Sequence, residues 1–167
     1  MATTLTTSLA FALATRFVTD NDLSDPADAL SMDWSDTLAN GTGTDQADLI
    51  FHDRRTLVAT SEDFDLAATL LDVYGSAITF VDVKGLFINN RNTTAGHTLS
   101  IGGAAGTQFV SWVGAANDEV NIGPNGLFVL WSPIDGYAVG AGASDLLKID
   151  AGANTIIYDI VVIGTSA

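Results

Sequence analysis

The chain has 167 residues, 47% of them hydrophobic, so it can bury a core and is too apolar for global disorder. Its net charge of −14, from 20 acidic side chains against six lysines and arginines, excludes direct binding to nucleic-acid phosphates or an anionic membrane. The absence of cysteine excludes disulfides and thiolate chemistry.

The first predicted element is the apolar N-terminal segment Met1–Val18. Its large apolar side chains are Leu5, Leu9, Phe11, Leu13 and Phe17. Their spacings fit a strand, while the four-residue steps within the set also fit a helix, so both remain open. No basic residue precedes the apolar run, and the run is too short to span a bilayer. We expect a soluble protein made in the cytoplasm, whose N-terminal segment packs on its own domain or on a neighbour.

An acidic belt, Thr19–Asp53, follows and holds nine aspartates but no lysine or arginine. Asp25-Pro26 is typical of a helix N-cap and first helical position, so a short helix is predicted over Pro26–Met32. Trp34 and Leu38, four residues apart, either continue this helix or attach the segment to the core.

Part of this belt has some features of a calcium-binding loop. Asp20–Asp25 supplies the first two acidic positions but lacks the glycine at position six and the glutamate at position twelve. No histidine or cysteine metal motif occurs. We therefore predict no cofactor. A Ca²⁺ site in a loop or on an oligomer axis stays open beside the alternative of a solvated acidic loop.

The run Ile78–Asn90 is predicted to be the central strand or pair of strands, because branched and aromatic residues dominate it. Asp82 and Lys84 point to one face of such a strand. The opposite face, predicted to lie in the core, carries Thr79, Val81, Val83, Gly85 and Phe87. Gly85 indicates a bulge or a close backbone approach.

Short strands separated by turns are predicted on both sides of this run. They are Ala47–Thr60, Ser61–Leu71 (where a helix is the alternative), His97–Ile101, Gln108–Val113, Asp118–Ile122, Leu127–Trp131, Tyr137–Val139, Leu146–Asp150 and Thr155–Ile163. Spacings of roughly 8–12 residues predict a β-sandwich or barrel, and about eight strands suit a jelly roll. The predicted fold is an all-β antiparallel sandwich, jelly-roll-like, with an N-terminal arm and acidic segment over 1–33 and the sandwich domain over 34–167.

No motif supports catalysis. His52 and Asp53 are neighbours, but adjacent side chains of a strand point to opposite faces, which argues against a base and its orienting acid. The chain has no G-x-S-x-G nucleophile motif. With so many acids, a carboxylate pair at glycosidase spacing carries no specificity. We predict that the protein is not an enzyme.

Arg54-Arg55 is the one basic doublet, and we predict that it pairs with the acidic belt of its own chain or of a neighbour. The predicted interface set comprises Leu9, Phe11, Leu13, Phe17, Arg54 and Arg55. The three tryptophans, Trp34, Trp112 and Trp131, either stack on a sugar or pack in the core.

Several turn-and-strand stretches resemble small structural proteins of tailed bacteriophages. They are Leu38-Ala-Asn-Gly-Thr-Gly43, Ala47-Asp48, Asp53-Arg-Arg-Thr-Leu57, Asp65-Leu66, Asn92-Thr-Thr-Ala-Gly96, Ile122-Gly-Pro-Asn-Gly126, Asp135-Gly-Tyr-Ala-Val139 and Tyr158-Asp-Ile-Val-Val-Ile-Gly164. The chain from Trp34 to its C terminus is similar to head decoration, or cement, proteins. Those proteins are β-sandwich modules bound on an assembled capsid, often as trimers.

The resemblance implies a non-enzymatic structural protein that decorates and stabilises the capsid shell on the outer surface of the virion. Its implied partners are the major capsid protein and two further copies in a homotrimer, with no nucleic acid and no membrane. The alternative is a carbohydrate- or receptor-binding module of a phage head or tail appendage.

Overall fold

The computed structural model describes residues 4–104 and 106–167, and within these ranges every regular element is a β-strand. Residues 1–3 of the predicted N-terminal segment, and Ala105, lie outside the described residues. The strands are β1 (Thr7–Val18), β2 (Ala27–Asn40), β3 (Gln46–Ala47), β4 (Leu49–Val58), β5 (Ser61–Asp65), β6 (Leu70–Leu71), β7 (Ala77–Ile78), β8 (Asp82–Asn90), β9 (Leu99–Gly102), β10 (Glu119–Ile122), β11 (Leu127–Trp131), β12 (Tyr137–Ala138), β13 (Leu146–Asp150) and β14 (Thr155–Thr165). The predicted all-β fold is confirmed.

Two antiparallel sheets form the body. The first has the order β11-β8-β14-β4, with β12 added to β8, and the second has the order β10-β9-β13-β5. Their facing sides share one apolar core, to which the first sheet gives Leu86, Ile88, Ile156 and Ile160 and the second gives Phe64, Ile101, Leu147 and Ile149. The Tyr158 hydroxyl on β14 also donates to Glu62 on β5, which joins the two sheets. The predicted sandwich is therefore confirmed.

The strand order follows a simple rule. Among the eight strands that form the two sheet paths, the first in chain order pairs with the eighth, the second with the seventh, the third with the sixth and the fourth with the fifth. These pairs are β4·β14, β5·β13, β8·β11 and β9·β10, all antiparallel. The chain therefore follows the path of one long hairpin folded over into two layers.

The central strand contains a bulge that changes its faces. Gly164 of β14 lies opposite Val83, and Ile163 lies opposite Gly85, so Lys84 is an extra residue of β8. The alternation of side chains between the two faces of β8 shifts at Lys84, so Leu86 and Ile88 enter the core. The predicted core face was wrong on both sides of Val83. Before it, Thr79 and Val81 are exposed while Ile78 and Phe80 lie in the core, and after it Phe87 points outward. The close approach at Gly85 is confirmed, because a Cβ there would lie 2.9 Å from the Trp131 ring.

The N-terminal segment is a hairpin arm. Strands β1 and β2 pair antiparallel from Thr7 opposite Leu38 to Val18 opposite Ala27. The helix predicted over Pro26–Met32 was wrong, because the partner strand β1 supplies the backbone hydrogen bonds and overrides the local cap signal. Pro26 stands just before β2, where a missing N–H is tolerated.

One of the predicted strands, Gln108–Val113, is not formed. Within Gln108–Val113 the chain forms turns, and only Gln108 makes a single bridge, to Leu146. The Gln108 side chain is buried, with its Oε1 accepting from Ala104 N and its Nε2 donating to Asp118 O. Local hydrogen bonds of this kind offer the backbone an alternative to a sheet ladder. The Ser61–Leu71 stretch is extended, as predicted, but a turn divides it into β5 and β6.

The core makes a testable prediction on β14. Ile160 is fully buried between the sheets, whereas Ile157 on the outer face is 40% exposed. We expect Ile160→Ala to lower the free energy of unfolding by about 2–5 kcal/mol, because it removes core contacts and leaves a cavity. The matched control Ile157→Ala should cost about 1 kcal/mol or less. Urea unfolding followed by tryptophan fluorescence measures both, and equal losses would contradict this assignment of the faces.

Candidate interaction surface

The arm has one apolar face and one small, polar face. Cross-strand pairing places Phe11 opposite Trp34 and Leu13 opposite Met32. Since side chains alternate along a strand, one side of the arm collects its large apolar residues. The apolar residues of this arm face are Leu9, Phe11, Leu13, Phe17, Leu30, Met32, Trp34 and Leu38, and the same face carries Asp28 opposite Phe17 and Asp36 opposite Leu9. The four apolar residues of the predicted interface set all lie on it.

Most of the arm face is uncovered. Phe17 is 74% exposed, and Phe11, Leu13, Leu30 and Met32 are also exposed. A two-stranded hairpin is at best marginally stable in water by itself, and monomeric proteins rarely expose a large contiguous apolar patch. The arm face therefore has the properties of a binding surface.

The base of the arm is fixed to the outer face of the first sheet. The Trp34 ring meets the Trp131 ring edge-on at 6.4 Å, and Trp131 Nε1 donates to Asp36 Oδ2 over 2.9 Å. Leu38 is buried in a small second core with Ala47 and Ile163. Of the two predicted roles of Trp34 and Leu38, attachment to the body is therefore the correct one.

The outer face of the first sheet continues the apolar surface. Val129 on β11, Phe87 on β8 and Val161 on β14 lie side by side in one cross-strand row, next to the row that contains Trp131. Val129 is 42% exposed, and Phe87 and Val161 are half-buried. We call these three residues the sheet row. Sequence reasoning missed it, because the bulge at Lys84 sends Phe87 outward.

Arg54 and Arg55 lie on opposite faces of β4 and have different partners. Arg54 lies on the outer face, where its Nε and Nη2 donate to Asp159 over 2.6 and 3.1 Å. Arg55 points toward the sandwich, 3.0 Å from Asp53 and with its guanidinium over the Phe64 ring. Thus Arg55 pairs with the last aspartate of the acidic belt, and Arg54 pairs with an aspartate outside it.

A third arginine completes a charged cluster on the outer face. Arg91 Nη1 donates to Asp159 Oδ2 over 3.0 Å, so two guanidinium groups share one carboxylate. The hydrogen bond from Arg54, aided by that from Arg91, lowers the pKa of the Asp159 carboxyl below its ordinary value. The cluster keeps one net positive charge next to the sheet row.

The described residues offer no metal cluster. Within residues 4–104 and 106–167, no three histidine or acidic side chains converge as metal ligands. The run Asp20–Asp25 forms the exposed turn of the arm, closed by a bridge between Asn21 and Ser24. His52 and Arg54 face outward on β4, while Asp53 lies on the other side with Arg55. Over the same ranges, no helix has the length and apolarity to cross a bilayer.

Known proteins provide no relative with which to compare this surface: no protein family, curated protein or solved structure matches the chain. Its interpretation therefore depends on its geometry and chemistry. The arm face, the sheet row and the arginine cluster together form an outward-facing group of apolar and cationic side chains.

The arginine cluster predicts a pH dependence. The lowered pKa of Asp159 means that its stabilising effect is fully present above the ordinary carboxyl pKa and is lost as the pH falls through the lower, folded-state value. We expect Asp159→Asn to lower the melting temperature at neutral pH, and its difference from wild type to shrink below roughly pH 4. Calorimetry of both proteins from neutral pH to below roughly pH 4 measures this difference in melting temperature.

Asp33→Asn is the matched control, because Asp33 is exposed on the arm and makes no ion pair within the described residues. Its melting temperature should follow wild type at every pH. A difference between Asp159→Asn and wild type that stays constant down to acid pH would contradict the role assigned to the two arginines.

Proposed function

We propose that the protein is a non-enzymatic structural protein of a tailed bacteriophage that decorates and stabilises the capsid shell from outside. Its partners would be the major capsid protein and its own copies in a homotrimer. The observation that carries the proposal is the long arm, whose apolar face is uncovered in the single chain. A surface of this kind functions by being buried against a partner.

The resemblance of the chain from Trp34 onward to head decoration proteins supports the proposal, and so does the strand order. We infer that the sandwich is a jelly roll, because a hairpin folded over on itself pairs first with eighth, second with seventh, third with sixth and fourth with fifth strands. Jelly rolls are common in viral capsid proteins. The fold alone does not specify a function, so the arm carries more weight.

A decorating oligomer needs one surface for its own copies and another for the shell. Besides the arm face, Leu71 at the end of β6 and Val73 and Tyr74 in the following turn are exposed, and the latter two line a groove with Leu5. These side chains form a second, separate apolar group that would serve the shell. The many surface aspartates keep a particle covered with copies soluble.

The alternative is a carbohydrate- or receptor-binding module of a head or tail appendage. One observation favours it: a groove of about 790 Å³, lined in part by Asp48, Asp72, Tyr74 and Ser76. An exposed tyrosine beside polar groups suits stacking on a sugar. A glycan array separates the two functions, because a decoration protein should bind no glycan. Selective binding that Tyr74→Ala abolishes would favour the appendage.

The decoration function predicts attachment to particles. We expect the chain to co-purify at fixed stoichiometry with the heads of a phage that carries this sequence. The double variant Leu13→Asp/Met32→Asp should lose most of this attachment, since it places two charges at one cross-strand pair of the arm face. Sedimentation with purified particles, followed by quantitative mass spectrometry, measures the bound copies.

The matched control is Ala14→Asp/Ser31→Asp, which places the same two charges at the next cross-strand pair, on the opposite face of the arm. It should bind particles as wild type does. Equal loss in both variants would show that arm folding, not its apolar face, is responsible. A monomer that binds no particle and turns over generic substrates would reject the proposal in favour of an enzyme.

A further inference from the structure

We infer that the arm face of one copy packs on the sheet row of a second copy, so that the copies are joined by exchanged arms. The inference rests on the self-association included in the proposed function, but it needs no shell. The partner of the arm face is thus a defined surface, the sheet row, on a second copy of the same protein.

The two surfaces match in chemistry. The sheet row presents Val129, Phe87 and Val161, and the arm face presents aromatic and aliphatic side chains of similar size. Within a single chain the arm face already contacts the row next to the sheet row, where Trp34 packs on Trp131. Beyond this contact the arm leaves its own body, because Leu13 and Met32 are exposed. Phe87 and Val161 pack partly against the small core around Leu38, so the part of the sheet row left for another arm centres on the exposed Val129.

Charge favours this contact over a contact between two arms. Strands β1 and β2 with their connecting turn contain six aspartates and one arginine, so two arms side by side would repel each other. The sheet row instead lies beside the net positive cluster of Arg54, Arg91 and Asp159. The whole-molecule charge of −14 opposes any association, but salt screens it beyond about 8 Å, so the local charges decide.

The size of the free arm favours a reciprocal contact. Seven residue pairs, from Ala12 opposite Asp33 to Val18 opposite Ala27, lie beyond the contact of Trp34 with Trp131. They give a free arm about 24 Å long, and two strands about 5 Å apart give a face of roughly 240 Å². A standard specific interface buries about 800 Å² per partner, about three times this area. A copy that both gives an arm and receives one doubles the area it buries, as in a closed symmetric oligomer.

Crosslinking tests the inference without ambiguity, because the chain has no cysteine. We propose mixing the single variants Leu13→Cys and Val129→Cys, distinguished by isotope labelling, and treating the mixture with a short bismaleimide. The expected product is a covalent dimer that joins one labelled and one unlabelled chain. Ala14→Cys mixed with Val129→Cys is the matched control and should give far less, because Ala14 lies on the opposite face of the arm.

Three outcomes would overturn the inference. Dominant Leu13–Leu13 products would show that arms pair with arms. An internal crosslink in the double variant Leu13→Cys/Val129→Cys, with no crosslink between copies, would show that each arm closes on its own body. A wild-type chain that stays monomeric at all concentrations would show that no exchange occurs.

Self-association measured by analytical ultracentrifugation gives a second readout. Val129→Asp should weaken it by about tenfold or more, because it places an unpaired charge within the apolar contact, and a tenfold change corresponds to about 1.4 kcal/mol. The control Val58→Asp, at an exposed valine at the end of β4, should leave it unchanged. If Val129→Asp self-associates as wild type does and still binds particles, the arm exchange fails while the decoration function stands.

Discussion

The bulge at Lys84 is the constraint on which the rest of the structure depends. One extra residue in β8 shifts the alternation of the central strand, so that Leu86 and Ile88 enter the core and Phe87 turns outward. Phe87 then packs beside Trp131 on the outer face, with the ring centroids 6.0 Å apart. Because Trp131 also accepts the base of the arm, the position of one bulge links the core to the attachment of the arm.

The extra residue itself is held in place. Lys84 is buried, and its Nζ donates to the carbonyl oxygen of Ile134 over 2.8 Å. A buried ammonium group requires such a partner, since its desolvation is costly. This hydrogen bond connects the bulge to the loop after β11, which is the strand that carries both Val129 and Trp131. The bulge and the outer apolar face are therefore parts of one arrangement.

A single chain leaves its apolar surface unevenly covered. The sandwich buries its core between two sheets, whereas the arm is a single layer whose apolar face is exposed beyond its base. Burial of apolar area is the main favourable term in folding and association, so this imbalance favours assembly. In the proposed arm exchange, the net negative charge of the chain opposes association, and the positive arginine cluster beside the sheet row offsets it locally.

Residue patterns alone predicted much of this, and the reasons are physical. The sequence by itself determined the all-β class, because the two-residue period of a strand is a local property. It also identified the large apolar residues of β1, although their spacing fitted both a strand and a helix. The same period in Leu30, Met32 and Trp34 indicates β2, but the Asp25-Pro26 cap signal outweighed it in our interpretation. Only the tertiary structure decided that Arg54 and Arg55 separate, that Asp159 joins Arg54 to Arg91, and that Phe87 faces outward. These features depend on which distant strand becomes a neighbour and on where one residue is left unpaired, and a pattern of nearby residues contains neither.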